Sequence, residues 1–148
     1  EWINTDFISY YMKHEELTEK IIKAFYKVYN TLGYGFLEKV YQNALLIELV
    51  SMGLNVTKEK RIVVYYESEV VGDYNADLTV NDIVICELKT SEQLYEGDEH
   101  QLVNYLKATE IEVGLLLNFG KRPEVKRKVY DNDRKSWRTT TITQLDNI

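Results

Sequence analysis

Residues 74–89 read YNADLTVNDIVICELK. Two runs rich in apolar and β-branched residues flank the turn dipeptide Asn81-Asp82, so the segment reads as a β-hairpin. The length of the turn decides which residues share a face. A two-residue turn pairs Val80 with Ile83, puts Asp77 beside Val84, Cys86 and Leu88, and mixes polar with apolar residues on both faces. A three-residue connection, Asn81-Asp82-Ile83, pairs Asp77 with Glu87 instead. One face then collects Ala76, Leu78, Val80, Val84, Cys86 and Leu88, and the other collects Asp77, Thr79, Ile85, Glu87 and Lys89. A one-residue slip exchanges these sets, and burial selects the cleaner separation. The three-residue loop is therefore expected.

That register carries a chemical consequence. Residues directly across a strand pair have Cβ atoms about 4.5–5.5 Å apart, and like charges so placed repel unless a cation lies between them. A hard divalent ion such as Mg2+ takes oxygen ligands, commonly one or two protein carboxylates plus water and substrate phosphate. Asp77 and Glu87 would supply the carboxylates, and Lys89, two residues on, faces the same side. The plainer alternative is a solvated strand face carrying a Glu–Lys pair.

Working outward, Leu17, Ile21, Ile22, Phe25, Val28, Tyr29 and Leu32 recur at helical spacing over 15–32, and Gly33 and Gly35 end that helix. A second helix is expected from about Phe36 to Met52, with Leu37, Val40, Tyr41, Ala44, Leu45 and Leu49 inward and Gly53 closing it. Residues 61–67, 70–80 and 83–89 read as strands, 97–109 as a helix and 113–119 as a short buried strand. The order α-α-β-β-β-α-β predicts an α/β protein with a mixed central sheet flanked by helices.

A length of 148 residues suits one domain, and 45% apolar residues suit a folded one. The lone Cys86 excludes an internal disulfide framework and reads as a buried small hydrophobe. There is no apolar run long enough to span a membrane, and the first residues lack the layout of a secretory signal, so a cytoplasmic protein is expected. Charge is uneven. Residues 1–119 hold ten Lys/Arg against twenty Asp/Glu, whereas 120–138 hold eight against three. Such a basic stretch beside an acidic body suits either a phosphate backbone or a solvated tail. Trp2 and Trp137, near the ends, are expected to pack down a terminus or a partner subunit.

Three segments together resemble the GxxExxY group of the PD-(D/E)XK nuclease superfamily. They are Gly35-Phe36-Leu37-Glu38-Lys39-Val40-Tyr41; Tyr74-Asn75-Ala76-Asp77-Leu78 followed by Val84-Ile85-Cys86-Glu87-Leu88-Lys89; and Gln101 to Thr109 leading into Gly114 to Gly120. The resemblance covers about residues 15–130 of a single domain spanning 1–148. It implies a restriction-endonuclease-like core and Mg2+-dependent phosphodiester hydrolysis, with Mn2+ able to substitute. It further implies that Asp77, Glu87, the backbone carbonyl of Leu88 and the helical Glu38 hold metal, and that Lys89 works on the nucleophilic water. Gln101 and Tyr105, four apart on one helix, would contact substrate. Nucleic acid is the expected partner, DNA before RNA, with homo-oligomers allowed. The rival expectation is a binding module on the same fold that has lost turnover.

Overall fold

The computed structural model describes residues 13–135. Its elements are α1 (Glu15–Leu32), α2 (Glu38–Ser51), β1 (Val56–Tyr66), β2 (Glu69–Val80), β3 (Val84–Lys89), α3 (Glu96–Ala108), β4 (Val113–Asn118) and β5 (Glu124–Val129), followed by a 3-10 turn at Asn132–Arg134. The five strands form one sheet in sequence order. β1, β2 and β3 meander antiparallel; β3 and β4 run parallel, joined through α3; β5 returns antiparallel on β4. A parallel pair needs such a crossover, because no tight turn can reverse the chain twice.

Helices cover both faces, which explains why all six residues of β4, VGLLLN, are buried. Beneath α1 and α2 lies one core, in which Ile21, Phe25, Tyr41, Leu45 and Leu49 meet Leu78, Val80, Cys86, Leu88 and Leu115. Under α3 lies the other, where Leu102, Tyr105 and Leu106 meet Ile62, Ala76, Ile85 and Leu116. No described helix is long and apolar enough to cross a membrane.

Four expectations need correction. β5, with the sequence EVKRKV, was not anticipated: its run of three bases suits an edge strand and hides its β pattern. β1 starts at Val56 rather than Arg61, because Val56 pairs with Val80 and the pairing continues to the hairpin tip. Leu37, just before α2, and Val40 within it are exposed, while Gln42 is buried. Finally, Ala76 lies in the α3 core and not with Leu78. Alternation slips at Asp77, opposite the one β1 residue, Glu59, whose φ of 57° leaves extended geometry. Cys86 is buried, as expected.

Much of the basic stretch is committed to the fold. Lys128 pairs with Glu99 at 2.7 Å, Lys135 donates to the Thr109 and Ile111 carbonyls at 2.7 and 2.9 Å, and Arg134 lies 4.4 Å over the Tyr130 ring. Arg127 donates to the Lys13 carbonyl. Lys121, Arg122 and Lys126 remain exposed. Trp2, Trp137 and Arg138 lie outside the described residues.

Candidate functional site

The β2–β3 hairpin has the three-residue connection. Val80 pairs with Val84, Thr79 with Ile85 and Leu78 with Cys86, leaving residues 81–83 in the loop. Asn81 and Asp82 both adopt left-handed φ, 53° and 54°, which these two residue types tolerate best after glycine. The pairing stops one step short of Asp77 and Glu87. There, side chains take over from the backbone: the Asp77 N–H donates to Glu87 Oε1 at 3.0 Å, and the Leu88 N–H donates to Asp77 Oδ2 at 2.8 Å. Each carboxylate thus caps an amide of the opposite strand, where the ladder leaves donors without backbone partners.

This crossed arrangement sets two acids side by side. Burial raises the Glu87 pKa to about 8, helped by the Asp77 charge and opposed by the Asp77 N–H and by Lys89. Burial also raises Asp77, against the Leu88 N–H and Lys89. The metal-free pair is therefore under electrostatic pressure that a proton or a cation relieves. Leu88, tied to Asp77 through its N–H, brings its own peptide to the pair.

Glu38 is the first residue of α2, and its carboxyl is raised by burial and then by the Asp77 charge, while Lys89 lowers it. It shares the electrostatic field of the pair. Among the described residues, however, no three His, Cys, Asp or Glu side chains stand close enough to share one ion. Two carboxylates plus a peptide carbonyl still match the donor set a Mg2+ ion accepts, with water completing it. The ammonium of Lys89 lies 3.8 Å from Asp98 at the start of α3. Gln101 donates to the Tyr105 hydroxyl at 2.9 Å, and the Tyr105 pKa is raised first by burial and also by the charges of Glu87 and Asp77. Tyr105 thus lies in the field of the acidic pair, and Gln101 is tied to it.

Three neighbours escaped the sequence reading. Gln42, buried in α2, donates through one nitrogen to Glu59 Oε1 and to the Asp77 carbonyl, both at 2.9 Å. Glu59 adds a further negative charge felt by Asp77 and Glu38. Its left-handed backbone could not be foreseen in the run TKEKR, where alternating charges suggest only an exposed edge. Asp98 accepts from the Tyr95 N–H at 3.1 Å as part of a capping box, a helix-start role that conceals its contact with Lys89.

Acids whose folded pKa lies above the unfolded value bind more protons when folded, so stability must fall as pH rises between the two values. For Glu87 that window runs from the ordinary carboxylate range to about 8. In EDTA, the melting temperature should fall from pH 5.5 to pH 8.5, by up to about 1.4 kcal/mol of stability per pH unit from this group. Melts at stepped pH check this; a profile flat or rising across that window would mean that the pair is not strained.

A family model described as the PD-(D/E)XK nuclease superfamily matches residues 15–128. Among solved structures, the crystal structure of SSO0001 aligns with a TM-score of 0.48 and 18% identity, covering 92% of this chain and 66% of that one. The chain thus spans slightly under two thirds of that structure's length. No curated protein matches.

Proposed function

The chain belongs to the PD-(D/E)XK nuclease superfamily, and from that premise we propose that it is a metal-dependent nuclease of the GxxExxY group that hydrolyses phosphodiester bonds in nucleic acid. One observation carries the proposal: Asp77 and Glu87 cap each other's strands where the β2–β3 ladder opens, with Lys89 two residues further along β3. In this reading Asp77, Glu87 and the Leu88 carbonyl hold Mg2+, or Mn2+ in its place. Glu38 acts beside them through a bound water, consistent with its place in the same field but outside a three-carboxylate cluster. The ion supplies charge neutralisation for the phosphate and a more acidic water.

The chain's own groups do the rest. Asp77 and Glu87, relieved of their mutual repulsion, are held by the Leu88 and Asp77 amides and cannot swing away. Lys89 steadies the attacking water and the charge that develops on the phosphate oxygens, once its ammonium leaves Asp98. Gln101 and Tyr105 orient the phosphate backbone from α3. DNA is favoured over RNA as substrate. A second reading, a binding module without turnover, gains support from the net charge of −6 and from the Asp98 contact to Lys89.

Digestion of labelled single- and double-stranded DNA and RNA with Mg2+ or Mn2+, beside EDTA and Lys89→Ala controls, separates the two. Metal-dependent cleavage lost in Lys89→Ala supports the enzyme. Binding without cleavage of any substrate supports the module. Saturating Mn2+ should also raise the melting temperature. An ion at a hundredfold its Kd that binds only the folded form adds about 2.7 kcal/mol, or roughly 4–10 °C for a domain of this size. Identical melts in Mn2+ and EDTA would remove the metal from the proposal.

A further inference from the structure

Just past the end of β3, between the residues that follow Lys89 and those that precede Glu38, lies a cavity of about 330 Å3 that the catalytic reading leaves unused. Tyr34, Phe36, Ser91, Glu92, Gly120 and Lys121 are among its lining. Its position follows from the chain: Thr90 and Ser91 come directly after Lys89, and Phe36 stands two residues before Glu38. The volume falls at the small end of the range for ligand pockets, roughly 300–1,000 Å3.

The walls are fixed from behind by three side chains. Asn118, fully buried, accepts from the Ser91 N–H at 3.0 Å and donates to the Ser91 carbonyl at 2.9 Å. From α1, the Tyr29 hydroxyl shares its one proton between the Gly120 and Lys121 carbonyls, both at 2.9 Å. The Tyr41 hydroxyl donates to the Gly33 carbonyl at 2.6 Å and accepts from the Phe36 N–H at 3.2 Å. Tyr41 is itself stacked on Phe119, ring centroids 4.4 Å apart. On this rigid frame two rings are left facing outward: Tyr34 is 58% exposed and Phe36 48%. Exposed aromatics on a pinned loop, with a lysine and hydroxyl groups at hand, form the chemistry that receives a nucleobase: stacking on its face, hydrogen bonds to its edge, and a cation near its phosphate.

We propose that this cavity takes an unstacked nucleobase, placing its nucleotide next to the metal site that Asp77 and Glu87 would form, so that the preferred substrate is single-stranded nucleic acid. In a duplex the base faces are already covered by their neighbours, and the rings would have nothing to stack on. The inference rests on the nuclease reading for its substrate and deepens it by naming the strand form.

The test is fluorescence anisotropy of the whole chain in EDTA, with labelled oligothymidine, oligouridine and a blunt DNA duplex. The Tyr34→Ala/Phe36→Ala double variant is compared with wild type. Both rings are substantially exposed, so the double variant should fold, and its far-UV spectrum and melt verify this. The expected result is single-strand binding roughly tenfold tighter than duplex binding, with about that advantage lost in the double variant. Photocrosslinking of an iodouracil strand should label Tyr34 or Phe36. Duplex binding as tight as single-strand binding, or unchanged affinity in the double variant, overturns the proposal. Single-strand binding that depends on both rings, without cleavage in Mn2+, removes only the nuclease reading. Cleavage with ring-independent binding removes only the base pocket.

Discussion

Replacing Glu87 with Gln should cut phosphodiester cleavage by roughly a thousandfold while making the metal-free protein more stable. The two effects have one origin. Glutamine keeps an oxygen that can accept from the Asp77 N–H, now met at 3.0 Å, so the strand junction is preserved. It removes the charge that burial and Asp77 make costly, the same cost that lifts the Glu87 pKa to about 8. Near pH 8 the gain should be about 2 kcal/mol, or roughly 4–8 °C in melting temperature. The loss of rate follows from losing a metal-binding carboxylate, since bound metal contributes several kcal/mol to the barrier and each 1.36 kcal/mol is tenfold. Added Mn2+ should then raise the variant's melting temperature less than that of wild type. A purely structural Glu87 predicts the reverse: lower stability, and cleavage rates unaffected. Paired melts and single-turnover cleavage assays distinguish these outcomes, and a variant that melts below wild type in EDTA would sink the strained-pair account.

How much of this was legible in the sequence depends on what each feature rests upon. The hairpin register was legible because burial polices it: a one-residue slip puts Asp77 among Val84, Cys86 and Leu88. The three-residue loop follows, and with it the meeting of Asp77 and Glu87. Features that rest on backbone departures were not legible. Nothing in Thr57-Lys58-Glu59-Lys60-Arg61 announces that Glu59 leaves extended geometry, so the slip that carries Ala76 to the α3 face could not be read. Helical periodicity placed Leu37 and Val40 inward because it cannot distinguish a core stripe from the exposed edge of one. It missed Gln42, whose burial is compensated by two hydrogen bonds to distant residues. β5 was hidden by composition, for Lys126, Arg127 and Lys128 in one strand serve an edge rather than a core. Nor does the sequence show that Asn118, at the end of β4, holds in place the loop following Lys89.

Gly120→Ala should be among the most destabilising substitutions in the chain, and the reason lies in that same loop. A Cβ at Gly120 would overlap the Ser91 carbonyl oxygen and crowd the Asn118 amide nitrogen at 3.1 Å. The obstacle is backbone, so no rotamer change relieves it; one of the two loops must move. Moving Ser91 breaks the paired hydrogen bonds from the buried Asn118, and moving Gly120 breaks its bond from Tyr29. Overpacking costs about 1–3 kcal/mol and stranding a buried polar group about 1–3 more, so a loss of roughly 3–5 kcal/mol is expected, about 10 °C or more in melting temperature. Gly97→Ala is the matched control. It lies in the first turn of α3 with nothing within 4 Å of a new Cβ, and alanine's helix propensity should leave that variant unchanged or up to about 1 kcal/mol more stable. The displaced loop carries Thr90 and Ser91 directly behind Lys89, so Gly120→Ala should lose cleavage even at temperatures where it remains folded. Thermal melts and cleavage assays of the two alanine variants, run at one temperature below both transitions, decide the matter. Equal stability of the two would show that the loops give way freely, and that the lysine is not held by this crossing.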